Sequence, residues 1–386
     1  MRVKYLRDIS NAIIETPRYP ICSVNGQSPY DEQIMSMPSI LSNSSSTEVP
    51  IATSFHAGHH FFFLFNLDNY YHFLYDTLPY LAHYFELIKR VPSCKLLIPE
   101  THTFLPFQTE FLERLGILID QFVRARHLGS YEHLYIPSSL THGKNIEGIS
   151  MSNEIYSLEA RILWNRLSVH PSKETETTKF YISRRTHIHN DMTNIGTNYT
   201  LRRRCINEDA VVNAVSTRGY KEIFCELLST HEKIELFQKA THIIGFIGGG
   251  LANLLFSRPE TRVGCIETPD FLRINQRFKH SMDHTQITYL PITAHSAYNG
   301  PYSLYTRVRI IAGPYKDRIG ELLEWNDEKG YRVNVSNNDV AGFAHNQIFT
   351  EVWLSANNLD PLDKGLNSPF ECDIVSLNCY LDTLEE

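Results

Sequence analysis

The chain lacks paired cysteines. Its seven cysteines stand at positions 22, 94, 205, 225, 265, 372 and 379, with no CxxC spacing among them. That spacing speaks against a zinc ribbon, and an odd, scattered set fits reduced thiols better than a disulfide framework. Also missing is any apolar run long enough to span a bilayer, and Met1 to Asp8 carry no apolar leader core. No integral membrane anchor is therefore expected. Basic residues are not in excess: 36 Lys and Arg stand against 43 Asp and Glu, a net charge of -7. Nothing in that balance favours a nucleic-acid partner. Several catalytic signatures are absent as well. No Walker A lysine follows the glycine cluster, no GxSxG elbow occurs, and His56, His59 and His60 do not form a helical HExxH. P-loop ATP hydrolysis and a metal site are accordingly not expected. A Rossmann dehydrogenase fails because no GxGxxG opens an early βαβ unit.

What is present is ordinary globular composition. The 386 residues are 42% hydrophobic, enough for two or three domains with their own cores. Residues 1–58 are rich in Ser, Pro, Asn and Thr and read as an irregular lead-in. From 59 to 170 strand-like and helix-like stretches alternate. Strands are expected at Phe61–Phe65, Lys95–Pro99 and Leu134–Pro137, and helices at Tyr70–Arg90, Phe104–Leu115 and Asn153–Leu167. A polar gap, Ser168 to Thr178, reads as a linker. The alternation then restarts over 179–295. Strands are expected at Lys179–Ser183, Glu222–Leu227, His242–Ile247 and Arg262–Glu267, and helices at Asn207–Ser216, Thr230–Ala240 and Leu251–Phe256. Such alternation predicts parallel sheets covered by helices, with a ligand cleft at the carboxyl ends of the strands. Residues 300–360 read as short strands with turns, a small β-rich module with an SH3-like opening, and 361–386 as an irregular acidic tail.

Five groups of residues could carry chemistry. The run Ile243–Asn253 feeds an apolar strand into Gly248, Gly249 and Gly250 and then a helix-like segment. Glycines permit close backbone approach, and a helix start offers free N–H groups to a phosphate. Upstream, His72 and Asp76 are four apart and share one helix face. A carboxylate beside a histidine fixes its tautomer and raises its basicity, as a general base requires. The same spacing also fits a plain helix start with a half-buried His and a surface Asp. Arg184 and Arg185 end a predicted strand, where guanidinium forks suit phosphate oxygens; solvated loop charge is the alternative. Arg202-Arg203-Arg204 reads as a solvated face or a second anion contact. Glu267 ends the strand after the glycines, where a carboxylate can accept from ribose hydroxyls or simply face solvent.

Four stretches in this order and at this spacing resemble glycosyltransferase family 61: NYYHFLYDTLPYL, FYISRR, RRRCINEDAVVNAVSTRGY, and LSTHEKIELFQKATHIIGFIGGGLANLLFSRPETRVGCIE. The resemblance covers roughly residues 60 to 295. It implies a GT-B fold of two Rossmann-like domains, the first (59–170) on the acceptor side and the second (179–295) on the nucleotide-sugar side. It also implies inverting transfer of a sugar to an acceptor hydroxyl. By position, His72 and Asp76 match the family's HxxxD; Arg184, Asn207 and Glu208 its sR…NE segment; Gly248, Gly250, Leu251 and Asn253 its glycine motif. Glu267 matches the acid after the next strand. One departure stands out: Ile247 occupies the place of a family histidine, and Phe246 that of a proline.

The resulting expectation is an inverting glycosyltransferase using a nucleoside-diphosphate sugar, UDP by resemblance, and a glycan or glycoprotein acceptor, as in polysaccharide biosynthesis. Asp76 or His72 would be the base, and Arg184, Arg185 and the glycine loop would hold the departing diphosphate. No cofactor and no metal are expected. The absent leader points to a cytoplasmic bacterial or viral enzyme. Ile247 keeps open a non-catalytic nucleotide-sugar or glycan-binding protein on the same scaffold.

Overall fold

The structure is a computed structural model. It describes residues 6–18, 21–25, 50–63, 67, 69–138, 140–141, 158–168, 178–185, 204–267, 288–296, 302, 306–336, 349–362 and 369–385. The chain divides into two compact units, Met1–His170 and Pro171–Glu386.

The first unit is built on a mixed sheet. Its strands are β1 (Leu6–Arg18), β2 (Ile21–Val24), β3 (Ser54–Phe62), β4 (Lys95–Pro99), β5 (Phe122–Ala125) and β6 (Gly129–Pro137). They lie in the order β2-β1-β6-β3-β4-β5. β3 runs parallel to β4 and β6, β4 parallel to β5, and β1 antiparallel to β2 and β6. The lead-in is therefore not irregular throughout. β1 pairs with β6 from Leu6↔Pro137 to Ile14↔Gly129 and buries Ala12 and Ile14. Its polar residues hide the strand from a hydrophobicity pattern, and three of them, Asp8, Ser10 and Asn11, are exposed. β3 likewise starts earlier than expected and stops at Phe62. A register shift between His56 and His59, with Gly58 at φ 88°, separates its half-exposed start from the buried run His60-Phe61-Phe62.

The helices of this unit are α1 (Tyr70–His72), α2 (Leu81–Ile88), α3 (Pro106–Arg114) and α4 (Leu158–Leu167). The single helix expected over Tyr70–Arg90 is broken. α1 passes into a π turn over Phe73–Thr77, then a 3₁₀ turn over Leu78–Tyr80, then α2. Pro79 is the reason. A proline inside a helix has no N–H to give, and its ring crowds the carbonyl four residues back.

The second unit holds β7 (Thr178–Ile182), β8 (Lys221–Ile223), β9 (Ala240–Phe246), β10 (Arg262–Glu267) and β11 (Thr288–Ser296). Its helices include α5 (Glu208–Ser216) and α6 (Thr230–Lys239). A separate antiparallel sheet follows, with β12 (Arg307–Ile310), β13 (Ile319–Asn326), β14 (Gly330–Ser336), β15 (Phe349–Leu354) and β16 (Leu359–Pro361). Last come β17 (Phe370–Cys372) and α7 (Ile374–Glu385). The main sheet has the order β17-β11-β10-β9-β7-β8, parallel except for β17. The antiparallel sheet has the order β15-β14-β13-β12-β16 around Val308, Ile310, Leu322, Val333 and Val335.

The C-terminal tail is thus structured, contrary to its acidic look. Phe370 packs edge-on against Phe246 at 5.1 Å, and Leu377 and Leu381 join the same core. Tyr380 lies so close to Gly264 that a side chain there would meet its ring at 2.6 Å. Two local expectations also change. The strand expected at Glu222–Leu227 is the short β8 followed by a 3₁₀ turn at Cys225–Leu227, and the segment after the glycines is 3₁₀ over Gly249–Phe256. Arg202, Arg203 and most of the Ser168–Thr178 linker lie outside the described residues. Among the described residues, no helix is long and apolar enough to cross a membrane.

Candidate active site

The first unit supplies a histidine–carboxylate pair. Asn69 caps α1, its side chain accepting from the His72 backbone N–H at 3.0 Å. His72 Nδ1 lies 2.6 Å from Asp76 Oδ2. The two differ in exposure: the Asp76 side chain is 0% exposed and that of His72 is 36%. This reverses the plain helix-start reading, in which the histidine would be the more buried partner. With Nδ1 held by the carboxylate, Nε2 is the ring nitrogen left for other chemistry.

The π turn that carries Asp76 is stitched from outside. The Leu78 N–H bonds to the Phe73 carbonyl, five residues back. The matching partner for Leu74 would be the N–H of residue 79, which is proline. The indole Nε1 of Trp164 on α4 donates to the Leu74 carbonyl instead, at 2.9 Å. Tyr75 packs 5.5 Å from the Trp164 ring and stacks on Tyr71 at 4.6 Å. Single π turns of this kind are frequent at functional sites.

The second unit supplies the glycine loop and its arginine. Arg184 follows β7, and its guanidinium reaches the loop after β9. A Cβ on Gly248 would sit 2.9 Å from Arg184 Nη1. Only a residue without a side chain leaves room there. Gly250 is needed for a different reason, since a Cβ on it would meet Ile182 Cγ2 at 2.7 Å. The buried Asn253 closes the turn by donating to the Gly250 carbonyl at 2.9 Å, and Leu251 is buried beneath. Burial acts on the Arg184 guanidinium to lower its pKa, opposed first by the nearby Glu208.

Glu208, the first residue of α5, lies behind that arginine. Its Oε1 accepts from the Arg184 backbone N–H at 2.7 Å, the Tyr181 hydroxyl at 2.8 Å and Ser183 Oγ at 3.0 Å. Burial pushes its pKa above the usual carboxylate value, and these donors pull it back down. Tyr181 and Ser183 were not among the expected site residues. They stand two apart at the end of β7, a spacing that becomes a signal only once the acid downstream is known to be buried.

Other expected residues have different partners. Arg185 is spent on ion pairs: Nε and Nη2 bond Glu222 at 2.8 and 2.7 Å, and Nη1 bonds Asp209. These partners lie on β8 and α5, and they hold its pKa above the ordinary arginine value. Asn207 does not cap α5 with its side chain. Its amide pairs with the backbone of Cys372, donating to the carbonyl and accepting from the N–H, each at 2.9 Å. Ile247 is buried, and its N–H bonds the Ile266 carbonyl at 3.3 Å. Glu267 ends β10, partly exposed. Gly249 opens the 3₁₀ segment. Among the described residues, no group of three or more His, Cys, Asp or Glu side chains could hold a metal ion.

Residues 70–264, just over half the chain, match the family described as Glycosyltransferase 61. The chain belongs to glycosyltransferase family 61. No curated protein matches it. The family span runs from Tyr70, at the start of α1, to Gly264 in β10, and so contains His72, Asp76, Arg184, Glu208 and the glycine loop. Glu267, the antiparallel sheet, β17 and α7 of this glycosyltransferase lie beyond it.

Proposed function

We propose that this family 61 glycosyltransferase is an inverting enzyme of GT-B type. It moves a sugar from a UDP-sugar to a hydroxyl of a glycan or glycoprotein. The observation that carries the reading is the His72–Asp76 pair, a fully buried carboxylate held 2.6 Å from a half-exposed imidazole. A base that must touch an acceptor has to be accessible, and Asp76 is not. The base is therefore His72 through Nε2, with Asp76 as the group that orients the ring and stabilises its charged form.

In the reaction, the acceptor oxygen attacks the anomeric carbon from the face opposite the leaving group. Its proton goes to His72 Nε2. The bond from the anomeric carbon to the diphosphate oxygen breaks, and its electron pair stays on that oxygen. One displacement with one base inverts the anomeric centre. The negative charge that develops is met by Arg184 and by the N–H groups that open the Gly249–Phe256 segment. A guanidinium and a helix start supply positive charge without a metal, so transfer is expected to survive chelation. Arg185 has no direct part in this scheme, because all of its nitrogens are engaged with Glu222 and Asp209.

The test is release of UDP from a panel of UDP-sugars, with and without EDTA, together with NMR of the product anomer. Release with one sugar, unaffected by EDTA and giving the inverted anomer, is the expected result. A retained anomer would overturn the single-displacement scheme. UDP binding without release across a broad acceptor panel would favour a binding protein, the reading that the buried Ile247 leaves standing.

A further inference from the structure

The Glu208 carboxylate is buried, and it accepts from the backbone N–H of Arg184, whose guanidinium reaches the glycine loop. It gathers three donors on a single oxygen. Two of them, Tyr181 and Ser183, belong to β7 and the residue after it, and the third is the backbone of Arg184 itself. The acid is in turn fixed at the start of α5, where the neighbouring Asn207 is locked to the backbone of Cys372. Glu208 is thus a clasp between α5 and the end of β7. The residue it clasps carries the side chain that lies against Gly248.

We propose that Glu208 is a positioning residue for the leaving-group site. It sets the direction in which Arg184 leaves β7 and does not itself touch the donor. The inference rests on the reading of Arg184 as the diphosphate contact. A guanidinium acts on a developing phosphate charge only from the right place, so an error in the Arg184 backbone would propagate to its fork. Removing the carboxylate leaves the Tyr181 and Ser183 hydroxyls and the Arg184 N–H without their buried acceptor, and the strand end is then free to turn. Because Glu208 is 5% exposed, a direct hydrogen bond to ribose or phosphate is denied to it.

A double-mutant cycle on the full chain, read by UDP affinity, tests this. Arg184→Ala and Glu208→Ala should each weaken UDP binding by roughly tenfold or more. In the Arg184→Ala background, Glu208→Ala should add less than about twofold, because its effect passes through the missing guanidinium. Glu208→Gln keeps a carbonyl acceptor and should bind UDP within about threefold of the parent. A Glu208→Ala effect that persists in full beside Arg184→Ala would mean an independent contact or general loss of structure, and would overturn the clasp. So would full affinity in Glu208→Ala while Arg184→Ala is weakened. Undiminished affinity in Arg184→Ala would sink the leaving-group reading itself, and is told apart because it needs no Glu208 variant. Where Glu208→Ala does not fold, Glu208→Asp replaces it in the cycle under the same criteria, since the shorter side chain withdraws the carboxylate from all three donors.

Discussion

At the scale of single residues, two neighbouring glycines differ in what a methyl would meet. A methyl on Gly248 presses on the tip of the Arg184 side chain, which can swing away. A methyl on Gly250 presses on the branched, buried Ile182. Gly248→Ala should therefore weaken UDP affinity and also lower the melting temperature, because the backbone at Gly248, φ 159°, is one that side chains rarely adopt. Gly250→Ala should cost stability first, on the order of 1–3 kcal/mol. Calorimetry of both variants with and without UDP checks the difference, and equal losses of UDP affinity in both would contradict it. The proposed His72–Asp76 base pair is tested by turnover. His72→Ala should lower kcat by roughly 10²- to 10⁴-fold with UDP affinity unchanged. Asp76→Asn should lose less, because Nε2 stays in place while the ring loses the carboxylate that orients it and stabilises its charged form. A larger loss in Asp76→Asn than in His72→Ala would hand the base role to Asp76.

At the scale of elements, the π turn and β3 each carry a stored cost. The Leu74 carbonyl depends on a side chain ninety residues away, Trp164. Trp164→Phe keeps much of the ring packing and removes the donor, so a buried carbonyl goes unmet. The expected loss is about 1–3 kcal/mol of unfolding free energy, measured by urea titration. In β3, burial pushes the His60 imidazole down to about 4. The neighbouring His56 is lowered as well, chiefly by burial. A histidine kept neutral in the fold stabilises it fully above its unfolded pKa near 6.5, and that contribution is lost as pH falls toward 4. The parent should lose on the order of 3 kcal/mol over this window from His60. His60→Phe should flatten that part of the profile, the ring taking the edge-on place against Tyr131 now held at 5.0 Å. An unchanged slope in the variant would assign the loss to other groups.

At the scale of the whole molecule, the family span is not a complete folding unit. β17 extends the main sheet beside β11, Phe370 fills the space between its strands and α5, and Arg218 pairs with Asp382 of α7 at 2.7 Å. The residues that receive these contacts, Asn207, Phe246 and Gly264, lie inside the family span. Truncation after Leu362 should leave the second unit unfolded or strongly destabilised, seen as loss of its cooperative melting transition and of UDP binding together. Retained UDP binding in the truncated chain would show that the clasp on Asn207 is dispensable.

Apart from β5, which it missed, and the turn at Cys225–Leu227, which it read as strand, the sequence alone determined most of the strands and helices described from Lys95 to Glu267, the glycine loop after β9 and the family. These follow from local periodicity and from residue types that few other backbones tolerate. It could not distinguish Arg184 from Arg185, adjacent and chemically identical. One reaches the glycine loop and the other is consumed by Glu222 and Asp209, partners that only the fold brings beside it. Nor could it tell which of His72 and Asp76 is buried, since spacing places both on one face and only α4 and the π turn decide depth. The lead-in strand and the C-terminal helix escaped for the same reason. Polar residues interrupt the first and acidic ones flank the second, and what buries them comes from positions distant in the chain: β6 for the first, α5 and β10 for the second. Local chemistry chose the elements and the residue types at the site. Non-local packing chose which of those residues are exposed, which are paired, and which can act.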